Sequence, residues 1–363
     1  MKSKFFLGAI SIFAAILIGS CSENTAERNN ENVIVEPKYI TDPVDYDTDD
    51  PAIWINKSNL GQSLILGTDK DSAGGLYVFD LKGKLINSKT IKGLLRPNNV
   101  DVEYGLLLKK VPTDIAVVTE RFTGKIRVFS VPDMKPIDDG GLAVFEGETC
   151  RECRDLMGIS LYKNPENGLI YAIVGRKTGP TDGTYLWQYL LEDNGQGLVK
   201  ATLVRKFGIY SGTKEIEAIA VDDKLGYIYY SDETFGIRKY YANPSKGNKE
   251  LAVFGKGQFS RDNEGISIYE YDDTTGYILV SDQQANTFQV YKREGGSANP
   301  HEHVFVKTIP VKTNESDGSE ITSLSLNEDF EGGIFVAMSD NKTFHLYSWK
   351  DMVGNSLKVR PKN

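Results

Sequence analysis

The sequence has 363 residues with a formal net charge of −8, from 42 Lys+Arg against 50 Asp+Glu. This mildly acidic balance excludes a broad basic surface, so no nucleic-acid partner is expected, although a few clustered cations can still grip a polyanion in one pocket. Only three cysteines and three histidines are present. His301, His303 and His345 offer no H-x₃₋₅-H partner to the two late cysteines, which argues against a structural zinc site.

In chain order, the first segment is MKSKFFLGAISIFAAILIGSC: two lysines, an apolar run, then small residues before Cys21. Residues 1–20 read as a signal peptide and are set aside from fold reasoning. Its end, Ile18-Gly19-Ser20-Cys21, resembles a bacterial lipobox, in which the cysteine is acylated. The expectation is an exported lipoprotein of the cell envelope, anchored through Cys21 to the outer membrane and facing the periplasm or the cell surface. Polar residues 21–38 read as a tether, and no later window is long and apolar enough to span a bilayer. Residues 39–363 remain for the folded domain.

That domain opens on DYDTDDPAIW (45–54), four aspartates ahead of an apolar run. Crowded carboxylates repel one another, so a fold keeps them in water or sets a cation among them. Short runs rich in branched and aromatic residues follow at 63–68, 75–80, 114–120, 125–131, 169–175, 185–191, 227–232, 277–282, 287–293, 333–339 and 343–349, separated by Gly, Asn and Asp. No long amphipathic helix interrupts them, so the chain reads as all-β. Between them, Cys150 and Cys153 form a CxxC, read most simply in an exported protein as a short-loop disulfide.

The runs repeat. Residues 215–241 and 263–292 each give a strand, an Asp-Asp turn, a Gly-Tyr opening a second strand, a Ser-Asp ending and a third strand. Gly226-Tyr227 and Gly276-Tyr277 lie 50 residues apart, the length of one four-stranded propeller blade. Weaker echoes occur at 168–171 and 332–335. The spacing predicts a six-bladed β-propeller in which Glu217 and Glu264 meet near the axis. Asp222-Asp223 and Asp272-Asp273 read as solvated turns, and Trp54, Trp187 and Trp349 as blade packing.

The motifs Asp49-Asp50-Pro51-Ala52-Ile53-Trp54 and Asn98-Asn99-Val100-Asp101 resemble those of the β-propeller phytases, the calcium-dependent alkaline phytases of bacteria. Supporting matches are Thr119-Glu120-Arg121, Gly158-Ile159-Ser160-Leu161-Tyr162, Glu217-Ala218-Ile219-Ala220-Val221-Asp222-Asp223 and Arg261-Asp262-Asn263-Glu264-Gly265. The resemblance implies several Ca²⁺ ions and hydrolysis of phosphate monoesters of inositol hexakisphosphate by a chain expected to be monomeric. It implies metal ligands at Asp50, Asp101, Glu217, Glu233, Asp262, Glu264, Asp317 and Glu320. It implies substrate contacts from Lys70, Arg121 and Lys177, with Arg176 the substitute if the register slips by one. Catalysis would rest on Lys70, Arg121, Lys177 and Glu217. These residue types suit the chemistry, since Ca²⁺ takes about 6–8 oxygen ligands and arginine and lysine grip phosphate oxygens.

Departures fall on the substrate side. Met157 stands where the family usually has a tyrosine, and Glu103 where an arginine often follows the NNVD motif. The segments at Ser319-Glu320-Ile321-Thr322 and Met338-Ser339-Asp340 are altered, and Thr178 replaces an acidic neighbour of Lys177. They leave open a rival reading: a non-catalytic, calcium-stapled envelope propeller that binds a phosphorylated, glycan or protein ligand.

Overall fold

A computed structural model describes residues 33–362. The signal peptide, Cys21 and most of the tether lie outside the described residues. Six antiparallel sheets stand in a closed ring, giving the six-bladed propeller. Blade 1 comprises Thr48–Trp54, Leu64–Asp69, Gly74–Phe79 and Ile91–Leu94. Blade 2 comprises Pro97–Leu108, Val111–Glu120, Lys125–Val131 and Leu142–Ala143, with Lys135–Pro136 pairing its third strand. Blade 3 follows with Leu156–Lys163, Ile170–Arg176, Leu186–Asp193 and Val199–Phe207. Blade 4 has Ile219–Asp222, Tyr227–Asp232, Gly236–Tyr241 and Ala252–Phe254. Blade 5 has Asn263–Glu270, Gly276–Asp282, Thr287–Lys292 and Phe305–Pro310.

Blade 6 takes Ser319–Thr322, Ile334–Ser339 and Thr343–Ser348 from the end of the chain. Its outer strand is Tyr39–Ile40, paired with Leu346 and His345, so the two ends of the domain close the ring together. The attached chain begins before Tyr39: Val35 donates to the Pro310 carbonyl and accepts from Lys312 N, so the last residues of the expected tether lie against blade 5. Among the described residues no helix is long and apolar enough to cross a membrane.

The core is six apolar layers, one in each gap between neighbouring blades. Strand alternation explains why the middle strands read as unbroken apolar runs. In Tyr227–Asp232, Ile228 and Tyr230 pack toward blade 3 while Tyr229 packs toward blade 5. Both faces are dry, so neither face selects polar residues. Trp54, Trp187 and Trp349 are each buried in one of these layers.

The Ser-Asp and Thr-Asp/Glu endings of the second strands have a mechanical role. Thr119 Oγ1 donates to the Met157 carbonyl, Ser231 Oγ to that of Glu264 and Ser281 Oγ to that of Ser316, each on the next blade. The acid that follows ties down an incoming loop: Asp69 accepts from Tyr46 N and Asp47 N, Glu120 from Leu95 N, Asp232 from Ser211 N and Asp282 from Ser260 N. These paired bonds fix the rim on which the polar site is built.

Candidate active site and metal centre

The sequence motifs coincide with bends in the inner strands. Register shifts fall at Asp49-Asp50, Asn98-Asn99, Met157-Gly158 and Glu264-Gly265, at the same end of blades 1, 2, 3 and 5. A β-bulge breaks the in-out alternation and re-aims side chains, here around the mouth of the axis. Close contact between blades demands glycine beside them. A Cβ on Gly158 would lie 1.8 Å from the Glu217 carbonyl, and one on Gly318 would lie 2.3 Å from Asp50 Oδ1.

Two carboxylate groups share Glu233. Oxygens of Glu215, Glu217 and Glu233 lie within 4.8 Å of one another, as do those of Glu233, Asp262 and Glu264. Lys214 Nζ sits 2.8 Å from both Glu233 and Asp262. Lys177 Nζ lies 2.8 Å from Glu215. Lys70 Nζ bridges Asp49 at 2.5 Å and Asp317 at 2.9 Å, and Asp317 also accepts from Gln283. Even so, Glu217 Oε1, Glu233 Oε1 and Glu264 Oε2 are buried without a hydrogen-bond partner.

Burial, reinforced by neighbouring carboxylates, pushes Glu233 up to about 7 and raises Glu217 and Glu264 well above the ordinary range. A second acidic group lines the axial cavity, which holds about 430 Å³. There Asp50 accepts from Val100 N, Asp101 from Ser160 Oγ and Leu161 N, and Glu320 only from the backbone of Ile321. Burial pushes Asp101 to about 6 and Glu320 to about 8, and raises Asp50 well above its usual value. Oxygen-only donors, convergence and unpartnered buried oxygens together fit a hard divalent cation.

Beside this centre lie the cations. Arg121 has a side chain only 10% exposed; it donates to Asp155 and to Met157 Sδ, while its Nε has no partner. Met157 therefore stands against Arg121. Arg176 is a correction: it is wholly buried, its guanidinium donating to the carbonyls of Tyr185, Thr184 and Cys153. It is the last residue of its strand and points into the blade, so only Lys177 reaches the acidic centre. Cys150 and Cys153 are joined in a disulfide.

Two further readings change. Asp222 is not a solvated turn residue; it is buried in a two-bond ion pair with Arg293, at 2.7 and 2.8 Å. Asp272 and Asp273 are exposed. Glu103 sits buried beside Asp223, further along its strand than the Asn98-Asn99 bulge, and burial with the Glu103 charge pushes Asp223 to about 9. It therefore adds no charge at the rim. Sequence reasoning did not find Lys214, Glu215 or Gln283. Glu215 had a signal, because Glu215 and Glu217 flank the buried Ile216 and alternate onto one side of an extended segment.

The model of the family described as "Phytase" matches residues 4–349. A curated relative, the 3-phytase of Bacillus subtilis (strain 168), is 31% identical over 335 residues, covering 86% of this chain and 82% of the relative. These matches favour the enzyme over the non-catalytic propeller. A six-bladed ring whose rim gathers acids and cationic side chains, carrying this likeness over nearly its full length, belongs to the phytase family and is a phosphomonoester hydrolase.

Proposed function

We propose that the chain is a calcium-dependent hydrolase of myo-inositol hexakisphosphate and related inositol phosphates. What carries the reading is the buried, unpartnered oxygens of Glu217, Glu233 and Glu264 beside Lys70, Arg121 and Lys177. Glu217, Glu233, Asp262 and Glu264, with Asp317 at the edge, would hold Ca²⁺ at the rim, and Asp50, Asp101 and Glu320 would hold it in the axial cavity. Calcium bound there supplies neutralisation of phosphate charge and acidifies a water.

The chain's own groups do the rest. Arg121 presents a guanidinium fork to two phosphate oxygens, a geometry lysine cannot copy. Lys70 and Lys177 are held at the rim by Asp49, Asp317 and Glu215, so they meet substrate already oriented. Glu217 faces the space between them and orients the attacking water, whose oxygen bonds to phosphorus as the ester P–O bond breaks and the alcohol takes the proton. No nucleophilic Ser, Cys or His is needed.

Phosphate release from inositol hexakisphosphate at mildly alkaline pH, with calcium and then with excess EGTA, tests this. Release that EGTA abolishes and calcium restores is expected; a folded, calcium-loaded chain that releases nothing from any phosphomonoester would sink the reading. We further propose export as a Cys21-acylated envelope lipoprotein. Labelled palmitate should enter the wild type and not Cys21→Ala; equal labelling would contradict this.

A further inference from the structure

Lys214 lies on the connection between Val199–Phe207, the outer strand of blade 3, and Ile219–Asp222, the inner strand of blade 4. The backbone around it is held at several points. Tyr210 Oη donates to the Lys214 carbonyl, Asp232 accepts from Ser211 N and Oγ, and the Glu215 carbonyl accepts from Glu233 N. The ammonium therefore reaches the acidic centre from a fixed loop, along a flexible four-carbon stem that can swing without the loop moving.

There it stands 2.8 Å from an oxygen of Glu233 and 2.8 Å from one of Asp262, two members of the group that Glu264 completes. The acids are inside and the lysine is not: the side chains of Glu233 and Asp262 are 0% and 5% exposed, that of Lys214 39%. Asp262 takes a hydrogen bond from the Gln284 amide, whereas both oxygens of Glu233 and Oε2 of Glu264 accept none. Toward Glu233 the ammonium is thus a nearby charge, not a directed donor. One positive charge faces three carboxylates, and its way back to solvent is open. Calcium binds oxygen at about 2.3–2.6 Å, so an ion seated among oxygens within 4.8 Å of one another would coincide with an ammonium 2.8 Å from two of these acids. Two cations in that space would also repel each other.

We propose that Lys214 is a tethered stand-in for calcium. It occupies the Glu233–Asp262–Glu264 seat in the calcium-free protein, offsets part of the acids' charge, and has to swing out to solvent before the ion enters. Lys214 thereby lowers the calcium affinity of this seat, keeps the empty seat folded, and sets the free-calcium concentration at which this part of the centre assembles. This rests on the calcium dependence proposed above.

The test compares the full wild-type chain with Lys214→Met, which keeps an apolar stem and removes the charge, and with Lys214→Arg, which keeps the charge. In calorimetric calcium titration of EGTA-treated protein, Lys214→Met should bind one ion about tenfold more tightly than wild type, and Lys214→Arg no more tightly. The melting temperature of Lys214→Met should fall in EGTA, and its rise on adding calcium should exceed that of the wild type, because tighter binding stabilises the fold more. That rise reads the competition even if the variant is unfolded without calcium at room temperature. In a Glu264→Gln background, which dismantles the seat, adding Lys214→Met should change neither the affinity nor the rise. A lysine with a merely structural role would lower both melting temperatures alike. That result, unchanged or weaker calcium binding by Lys214→Met, or an equal gain in the Glu264→Gln background would overturn the proposal. A wild type that takes up no calcium would refute the calcium dependence and this inference with it. One that binds calcium but releases no phosphate would refute only the reaction, and the titration would still decide the role of Lys214.

Discussion

The gaps between blades and the mouth of the axis both bury charge, but they treat it differently. Between blades, the buried arginines are partnered: Arg293 by Asp222, Arg238 by Asp232 and Glu250, and Arg205 by Gln188 and two carbonyls, while the buried Lys239 has only the Pro300 carbonyl. At the mouth, carboxylates outnumber the lysines beside them, and several oxygens face nothing. Burying a charge without a partner is costly, so a fold retains it only where something else supplies the partner. Among the described residues, the buried carboxylate oxygens left without a hydrogen-bond partner gather at the mouth, and they mark the site.

Breaking a matched pair should have the largest effect on the fold. Arg293→Met strands Asp222 in the gap between blades 4 and 5 and should cost about 3–5 kcal/mol in urea unfolding, with kcat per folded molecule unchanged. A loss below about 1 kcal/mol would mean that the pair is not carrying buried charge. The converse change sharpens the contrast. Glu217→Gln should lower kcat/KM at least about a hundredfold, yet raise the melting temperature in EGTA, because it removes an unmatched buried charge. A lower melting temperature in EGTA would place Glu217 with the scaffold.

The unmatched acids also set a pH dependence. Asp101, Glu233 and Glu320 stand near 6, 7 and 8 in the fold, against about 4 in an unfolded chain. Raised folded values mean that the calcium-free fold holds protons the unfolded chain has released. Its stability is therefore full below about pH 4 and falls as pH climbs through 6 to 8. Melting in EGTA should drop from pH 6 to 8.5, and saturating calcium should flatten the slope; a melting temperature that rises over this range would contradict the assignment. The smallest effect belongs to Met157→Tyr, which sets a hydroxyl donor beside Arg121. Turnover of inositol hexakisphosphate should improve by roughly threefold, and a loss would mean that the thioether packs Arg121 better than a phenol can.

Where the sequence was legible follows the same division. The middle strands bury both faces, so their branched and aromatic runs announced them within a residue or two, as at 125–131 and 227–232. Inner strands line a polar channel and outer strands meet solvent, so Leu156–Lys163, Val199–Phe207 and Phe305–Pro310 lacked that signal. Tyr39–Ile40 is too short to carry any period, and only its pairing with the other end of the chain makes it a strand. At the site, bulged motifs such as Asp49-Asp50 and Glu264-Gly265 stood out because bulges need particular residues. Arg176 and Lys177 did not separate, since which of two adjacent cations faces the rim depends on where the strand ends. Lys214 was hidden because its partners Glu233 and Asp262 come from other parts of the chain.

Calcium titration of the EGTA-treated chain by calorimetry, beside Glu264→Gln, tests the central claim most directly. The account predicts that the wild type binds several Ca²⁺ ions with a rise in melting temperature, and that the variant loses at least one of them. A folded wild type that takes up no calcium, or a variant with unchanged stoichiometry and affinity, would contradict it.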